Sequence, residues 1–263
     1  GGGAMHLNDS LGRCEKLRYV CNLHEQACAI AAANLVGCQP TELLIASTGV
    51  IGEPLPIERI CTALVEMKNQ RGVSTWEQAA MTIGTTDTYP KGAACETEID
   101  QVPVKIVGIA KGSGMIAPNM ATMLAFIATD AVIGKKTLNR ALKEASDQTF
   151  NRITVDGDTS TNDMALIFAN NKARNASIQA GSSAYRTFVS KLTELCLDLS
   201  HKIVLDGEGA TKFVTIRVQG AKTKTHAHRI AQSVATSSLV KTALFGQDPN
   251  WGRIIAAVGY AGV

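Results

Sequence analysis

Two apolar runs bracket one tight loop near the middle of the chain, and this arrangement restricts the fold more than any other feature. Residues 102–110 (VPVKIVGIA) and 123–128 (MLAFIA) are short and dominated by aliphatic side chains. Runs of that length and composition read as buried strands. Between them stands KGSGMIAPNMAT, residues 111–122, whose glycines, proline and asparagine suit a turn and oppose a helix. Two buried strands so close in sequence need covering layers, and helical patterns flank them on both sides.

Residues 25–36 form an Ala-rich helical stretch closed by Gly37. Pro54 and Pro56 lead into a helix with Ile57, Ile60, Cys61 and Leu64 on one face. Ser74 is placed to cap a further short helix, with Glu77 completing a capping box. Helical spacing continues over residues 137–150 and 182–199. In the latter, Tyr185, Phe188, Val189, Leu192, Cys196 and Leu199 make a wide apolar stripe that reads as core. Residues 42–47 (ELLIAS) and 164–168 read as buried strands. Residues 212–218 alternate, with Val214, Ile216 and Val218 opposite Thr215 and Arg217. The fold class is α/β, with sheets layered by helices.

At 263 residues the chain has room for one or two domains. Its net charge of +3 is scattered, with no basic block, which argues against nucleic acid as a partner. No apolar stretch reaches the length of a membrane-spanning helix. The seven cysteines (Cys14, Cys21, Cys28, Cys38, Cys61, Cys95 and Cys196) contain no CxxC pair and read as reduced thiols of a cytoplasmic protein. Of the five histidines only His226 and His228 are near neighbours, and their polar setting reads as a solvated face. Asp156, Asp158 and Asp163 resemble a calcium loop, but Thr161 and Ile167 stand where an EF-hand requires Gly and Glu. That segment is expected to be a hydrogen-bonded turn supporting the site, without a metal.

The loop at 111–122 carries the chemistry. Gly112, Gly114 and Ala117 match a dinucleotide fingerprint on paper, but Pro118 and Asn119 interrupt the helix that such a motif must open. A different reading starts from Ala121-Thr122 at the mouth of the second strand. If that peptide bond is cut, Thr122 gains a free α-amine, whose reference pKa of about 7.7–8.0 suits a base near neutral pH. A threonine paired with its own terminal amine is an activated nucleophile. An unprocessed strand threonine is the plainer alternative on these residues alone.

The run KGSGMIAPNMATMLAFIATDA resembles the processing site of ornithine acetyltransferases, the bifunctional glutamate N-acetyltransferase family. Further matches follow in family order: STGVIG at 47–52, GTTDT at 84–88, DGDTSTND at 156–163, DGEGATK at 206–212 and DPNWGR at 248–253. The resemblance implies a self-processing, N-terminal-threonine acetyltransferase architecture. It implies cleavage between Ala121 and Thr122, with Thr122 as nucleophile, and transfer of the acetyl group of N2-acetylornithine to glutamate. It places Thr48 and Gly49 at the oxyanion hole, and Thr88, Lys111, Thr122 and Glu208 at the substrate. Lys111 suits a carboxylate, Glu208 an ammonium group, and Thr88 either. The Asn250–Arg253 stretch is expected to stop a helix near the entrance, with Arg253 holding a carboxylate or a structural ion pair.

Three segments follow from the resemblance: an atypical stretch at 1–24, an α-chain part at 25–121 and a β-chain part at 122–263. The family extends beyond this sequence at both ends, so the chain reads as truncated. The implied partners are amino-acid substrates and the two self-cleaved chains, associated as a heterotetramer. No cofactor is implied, with acetyl-CoA a candidate second donor. Two other readings stay open: a self-cleaving aminopeptidase-like hydrolase with water as acceptor, and an inactive piece of the family.

Overall fold

In the computed structural model the two apolar runs become the central strands of a four-stranded sheet, ordered β1-β2-β3-β4. The structure describes residues 15–48, 54–69, 72–117, 123–158 and 163–263, with side chains from residue 25 onward. The strands are β1 (Lys91–Ile99), β2 (Val102–Lys111), β3 (Leu124–Thr129) and β4 (Met164–Ala169). β1, β2 and β3 run antiparallel, while β4 lies parallel to β3. That parallel step needs a crossover, and α4 (Lys135–Ser146) lies within the connection.

One face of the sheet holds Val104, Ile106 and Gly108 of β2 with Ala125 and Ile127 of β3, all buried. Helix α5 (Ser183–Leu205) packs on β1 and β2, and α4 packs on α5. The helix starts where expected, with Ser182 accepting from the Tyr185 N–H. Tyr185, Phe188, Leu192, Cys196 and Leu199 are all buried in its stripe, as the spacing predicts. The fold is a mixed α/β arrangement in which helices layer on a sheet.

The described residues divide into two compact units at Thr82. In the first, α1 (Glu15–Val36) packs against α2 (Ile57–Asn69), and burial together with the nearby Cys61 thiol pushes the Cys28 pKa up. Gly37 ends α1 with a φ of 76°, a left-handed conformation that glycine adopts without a Cβ clash. In the second unit α6 (Lys224–Ala235), α7 (Ser238–Phe245) and α8 (Trp251–Gly259) gather around Val234, Val240 and Ala257. Among the described residues no helix is long and apolar enough to cross a membrane.

Several sequence expectations are corrected. Residues 43–48 form no strand; a short 3-10 turn at Pro40–Glu42 is followed by irregular chain. Residues 212–218 also stay irregular and largely exposed, since no described strand lies beside them to accept their backbone bonds. The third helix, α3 (Trp76–Ile83), is boxed one residue later than predicted: Thr75 Oγ1 accepts from Gln78 N–H, and Gln78 Oε1 accepts from Thr75 N–H. Asn250 starts a helix instead of stopping one, because its side chain accepts from the Arg253 N–H and caps α8. Arg253 reaches the Leu239 carbonyl and the Thr242 hydroxyl, neither of them a carboxylate.

The close approach of α5 to the sheet depends on Gly108. A Cβ there would stand 3.1 Å from Leu195 Cδ2, 3.2 Å from Leu199 Cδ1 and 3.3 Å from Ile127 Cγ1. Gly108→Val is therefore expected to lower stability by about 1–3 kcal/mol through overpacking. Urea unfolding measures this as a lower midpoint with an unchanged slope.

Candidate active site

Lys91 is the first residue of β1 and points into the protein, fully buried. A lone ammonium there would be untenable, and two carboxylates meet it: Asp87 Oδ1 and Asp206 Oδ2, each at 2.5 Å. Each carboxylate is also fixed from other directions. Asp87 accepts from the N–H groups of Gly112 (2.8 Å) and Thr85 (3.1 Å). Asp206, which caps the C-terminus of α5, accepts from the N–H and the hydroxyl of Thr88. The Asp206 carbonyl takes a 2.6 Å bond from Ser113 Oγ. Burial pushes both carboxyls up, but the Lys91 ammonium and these donors outweigh it and hold both below their ordinary range.

The loop after β2 is fastened from its other side by Asp156. Its Oδ2 accepts from Met115 N–H at 2.6 Å, and its Oδ1 from Ile116 N–H at 2.9 Å. Met115 has a φ of 57°, so this carboxylate holds a left-handed turn that a methionine would otherwise avoid. The Ile116 carbonyl then accepts from Val155 N–H and Thr154 Oγ1. The acidic segment that resembles a calcium loop is, at Asp156, a hydrogen-bonding brace for the loop.

Three predicted substrate residues meet around this framework. Thr88 is tied to Asp206. Glu208 follows two residues later, with its N–H bonded to the Ser113 carbonyl at 3.1 Å. Its carboxylate lies over Gly114, where a Cβ would come within 2.5 Å of it and oblige the exposed Glu208 side chain to move. Lys111 closes β2 and is 2% exposed. Burial drives its pKa down against the opposing pull of Asp87 and Asp163. Thr48 is partly buried in the first compact unit. Gly49, Ala121 and Thr122 lie outside the described residues.

Residue-by-residue sequence reasoning passed over Lys91, Asp87 and Asp206 as site components. A lysine at a strand start carries no local sign of burial, and its partners are 4 and 115 positions away. Asp163 appeared only as part of an acidic turn. Its Oδ1 accepts from the Met123 N–H, while its buried Oδ2 has no hydrogen-bond partner among the described residues. Burial raises its pKa to about 8, despite the Met123 bond and the nearby Lys111 charge.

Removing one partner from the Lys91 cluster should be costly. Asp206→Ala leaves a buried ammonium with a single carboxylate and is expected to cost about 3–5 kcal/mol. Acid should act in the same sense. Carboxyls whose folded pKa is depressed contribute stability present above the unfolded value, near 3.9, and lose it as pH falls through the folded value. Unfolding midpoints between neutral pH and about pH 2 should fall for the parent protein and less steeply for Asp206→Ala.

The chain was compared with known proteins. The ArgJ family model matches residues 22–263. The arginine biosynthesis bifunctional protein ArgJ of Desulfotalea psychrophila is 52% identical over 225 residues, covering 86% of this chain and 57% of that protein. The protein of the same name from Neisseria meningitidis serogroup B is 51% identical over 239 residues, covering 90% of this chain and 58% of the relative. The chain thus spans less than two thirds of the length of these relatives. The crystal structure of arginine biosynthesis bifunctional protein argJ from Bacillus halodurans superposes with a TM-score of 0.52 at 47% identity, over 54% of this chain and 66% of that one. A family match across nearly the whole chain, on a shared fold, leaves one conclusion: this chain belongs to the ArgJ family.

Proposed function

We propose that the protein carrying this sequence transfers the acetyl group of N2-acetylornithine to glutamate through an acetyl-Thr122 intermediate, after cutting itself between Ala121 and Thr122. The observation that carries this reading is the gathering of Thr88, Lys111 and Glu208 around one braced loop that precedes Thr122 in the sequence. The buried Lys111 suits a substrate carboxylate, and the exposed Glu208 suits an ammonium group. Thr48 and Gly49 supply the oxyanion donors in this reading. The Thr122 α-amine takes the hydroxyl proton as the hydroxyl attacks the acetyl carbonyl, and it returns that proton to the departing amine. The acceptor amine then attacks the acetyl-threonine ester and restores the hydroxyl. A hydrolase would use water in that second step, but a lysine and a glutamate suited to the two charged ends of an amino acid favour transfer.

The sheet supports association of the two cut chains. β2 precedes the cleavage point and β3 follows it, yet they pair from Ile106↔Thr129 to Lys111↔Leu124. The ladder is non-covalent, so hydrolysis of the loop leaves it bonded. Pairing of two such cut protomers gives the heterotetramer, and its site of action is the cytoplasm.

In the full-length protein, N-terminal sequencing should find a second chain beginning at Thr122, co-eluting with the first until denaturant is added. Thr122→Ala should remain uncut and inactive, while Thr122→Ser keeps a hydroxyl and some cutting. A peptide with acetylated Thr122 and parallel double-reciprocal plots are expected. Intersecting plots without the adduct would replace the covalent route with direct transfer. Acetyl-CoA supplied alone tests the second donor by formation of the same adduct.

Thr48→Ala should lower turnover by about a hundredfold or more, as loss of one oxyanion donor does. A worsened binding constant with unchanged turnover would make Thr48 a binding residue instead.

A further inference from the structure

We infer that Asp163 is a positioning residue of the Thr122 site: one oxygen of its side chain fixes the peptide N–H that follows Thr122, and the other is buried away from water. The inference rests on the proposed role of Thr122, and it begins from the hydrogen bonds around the start of β3. The Met123 N–H is covalently joined to the carbonyl carbon of Thr122, so whatever grips it restricts the backbone of the nucleophile. Asp163 Oδ1 accepts that N–H, and the register continues at once with the Met164 N–H bonded to the Met123 carbonyl at 3.0 Å. Asp163 thus secures the point where β3 and β4 begin to pair, immediately after the residue assigned to the chemistry.

The second oxygen is what separates this arrangement from an ordinary brace. Among the described residues the buried Oδ2 has no hydrogen-bond partner, whereas Asp156, the brace of the neighbouring loop, uses both of its oxygens. The charged group acting on Asp163 is Lys111 at the end of β2, which in turn faces Asp87 and Lys91. Burial dominates and keeps the carboxyl protonated until about pH 8. A neutral carboxyl serves the proposed chemistry. The α-amine of a cut Thr122 must be free of its proton to act as base, and an anionic carboxylate bonded to the next peptide N–H would favour the ammonium form instead. Protonated Asp163 grips the backbone without that penalty, and its ionisation sets an upper pH limit on activity.

The test uses the full-length protein and three variants. Asp163→Asn preserves the acceptor for Met123 and the neutral charge, so it should fold, keep turnover within about tenfold, and lose the alkaline limb near pH 8 from its kcat/KM profile. Asp163→Ala removes the acceptor and should fall well below Asp163→Asn. Asp163→Glu, which restores a carboxyl on a longer stem, should recover an alkaline limb. Stability supplies a readout that does not need activity. A carboxyl whose folded pKa is raised contributes stability that is full below the unfolded value and lost as pH rises through the folded value. The parent should therefore lose stability between about pH 4 and pH 8, and Asp163→Asn should lack that slope. An unchanged pH profile and slope in Asp163→Asn would overturn the inference, as would its failure to fold or equal activity of Asp163→Ala. If the parent is uncut at Thr122 and takes up no acetyl group, the functional reading fails and this role falls with it. If the parent is cut and acetylated but the variants behave alike, only the role of Asp163 fails.

Discussion

The buried ammonium of Lys91 is the constraint around which the second unit is arranged. An ion with no exposure must be neutralised where it stands, and the two carboxylates that do so come from the segment before β1 and the C-cap of α5. Each carboxylate then recruits donors of its own: Gly112 and Thr85 to Asp87, and Thr88 to Asp206. The start of β1, the end of α5 and the loop after β2 are thereby tied to one point. Buried ion pairs repay their desolvation poorly as a source of stability, and apolar replacements are often as good. What this cluster supplies is position: Thr88, Glu208 and Lys111 all belong to segments that the cluster fastens.

Around this knot the ionisable groups are driven in different directions by neighbouring causes. Asp87 and Asp206 are held ionised by donors and the ammonium, in spite of burial. Asp163 has the Met123 N–H as donor and the charge of Lys111 acting on it, and burial prevails. Lys111 loses affinity for its proton because desolvation exceeds the pull of Asp87 and Asp163. Perturbed pKa values cluster at functional sites, where burial and neighbouring charges are arranged to shift them. Here they surround the loop that leads to the cleavage position proposed for the ArgJ family chain. The same loop separates two strands that stay paired across it, so a peptide bond there can break without opening the sheet.

Much of the architecture could be read from local pattern. β2, β3 and β4 announce themselves as apolar runs, and α5 as a stripe at helical spacing, because burial of aliphatic side chains obeys a short period. β1 escaped that reading. Its inward positions include Lys91, Ala93 and Thr97, and its hairpin turn places Asp100 and Gln101 at positive φ, without the glycine that usually marks such a turn. The strands expected at 42–47 and 212–218 failed for the opposite reason. Their composition suits a sheet, but a strand exists only where a neighbour accepts its hydrogen bonds, and that neighbour is not encoded in the segment itself.

The sequence by itself determined the fold class, the family and the loop that carries the proposed chemistry, since long motifs in fixed order are properties of the chain as written. Only the tertiary structure decided which charges matter. Lys91 and Asp206 stand 115 positions apart, as Thr88 and Asp206 stand 118 apart. Nothing local to any of these residues distinguishes a buried ion from a solvated one. Burial is a property of what packs around a group, and so are the hydrogen bonds that hold Asp206 ionised and the desolvation that raises the pKa of Asp163.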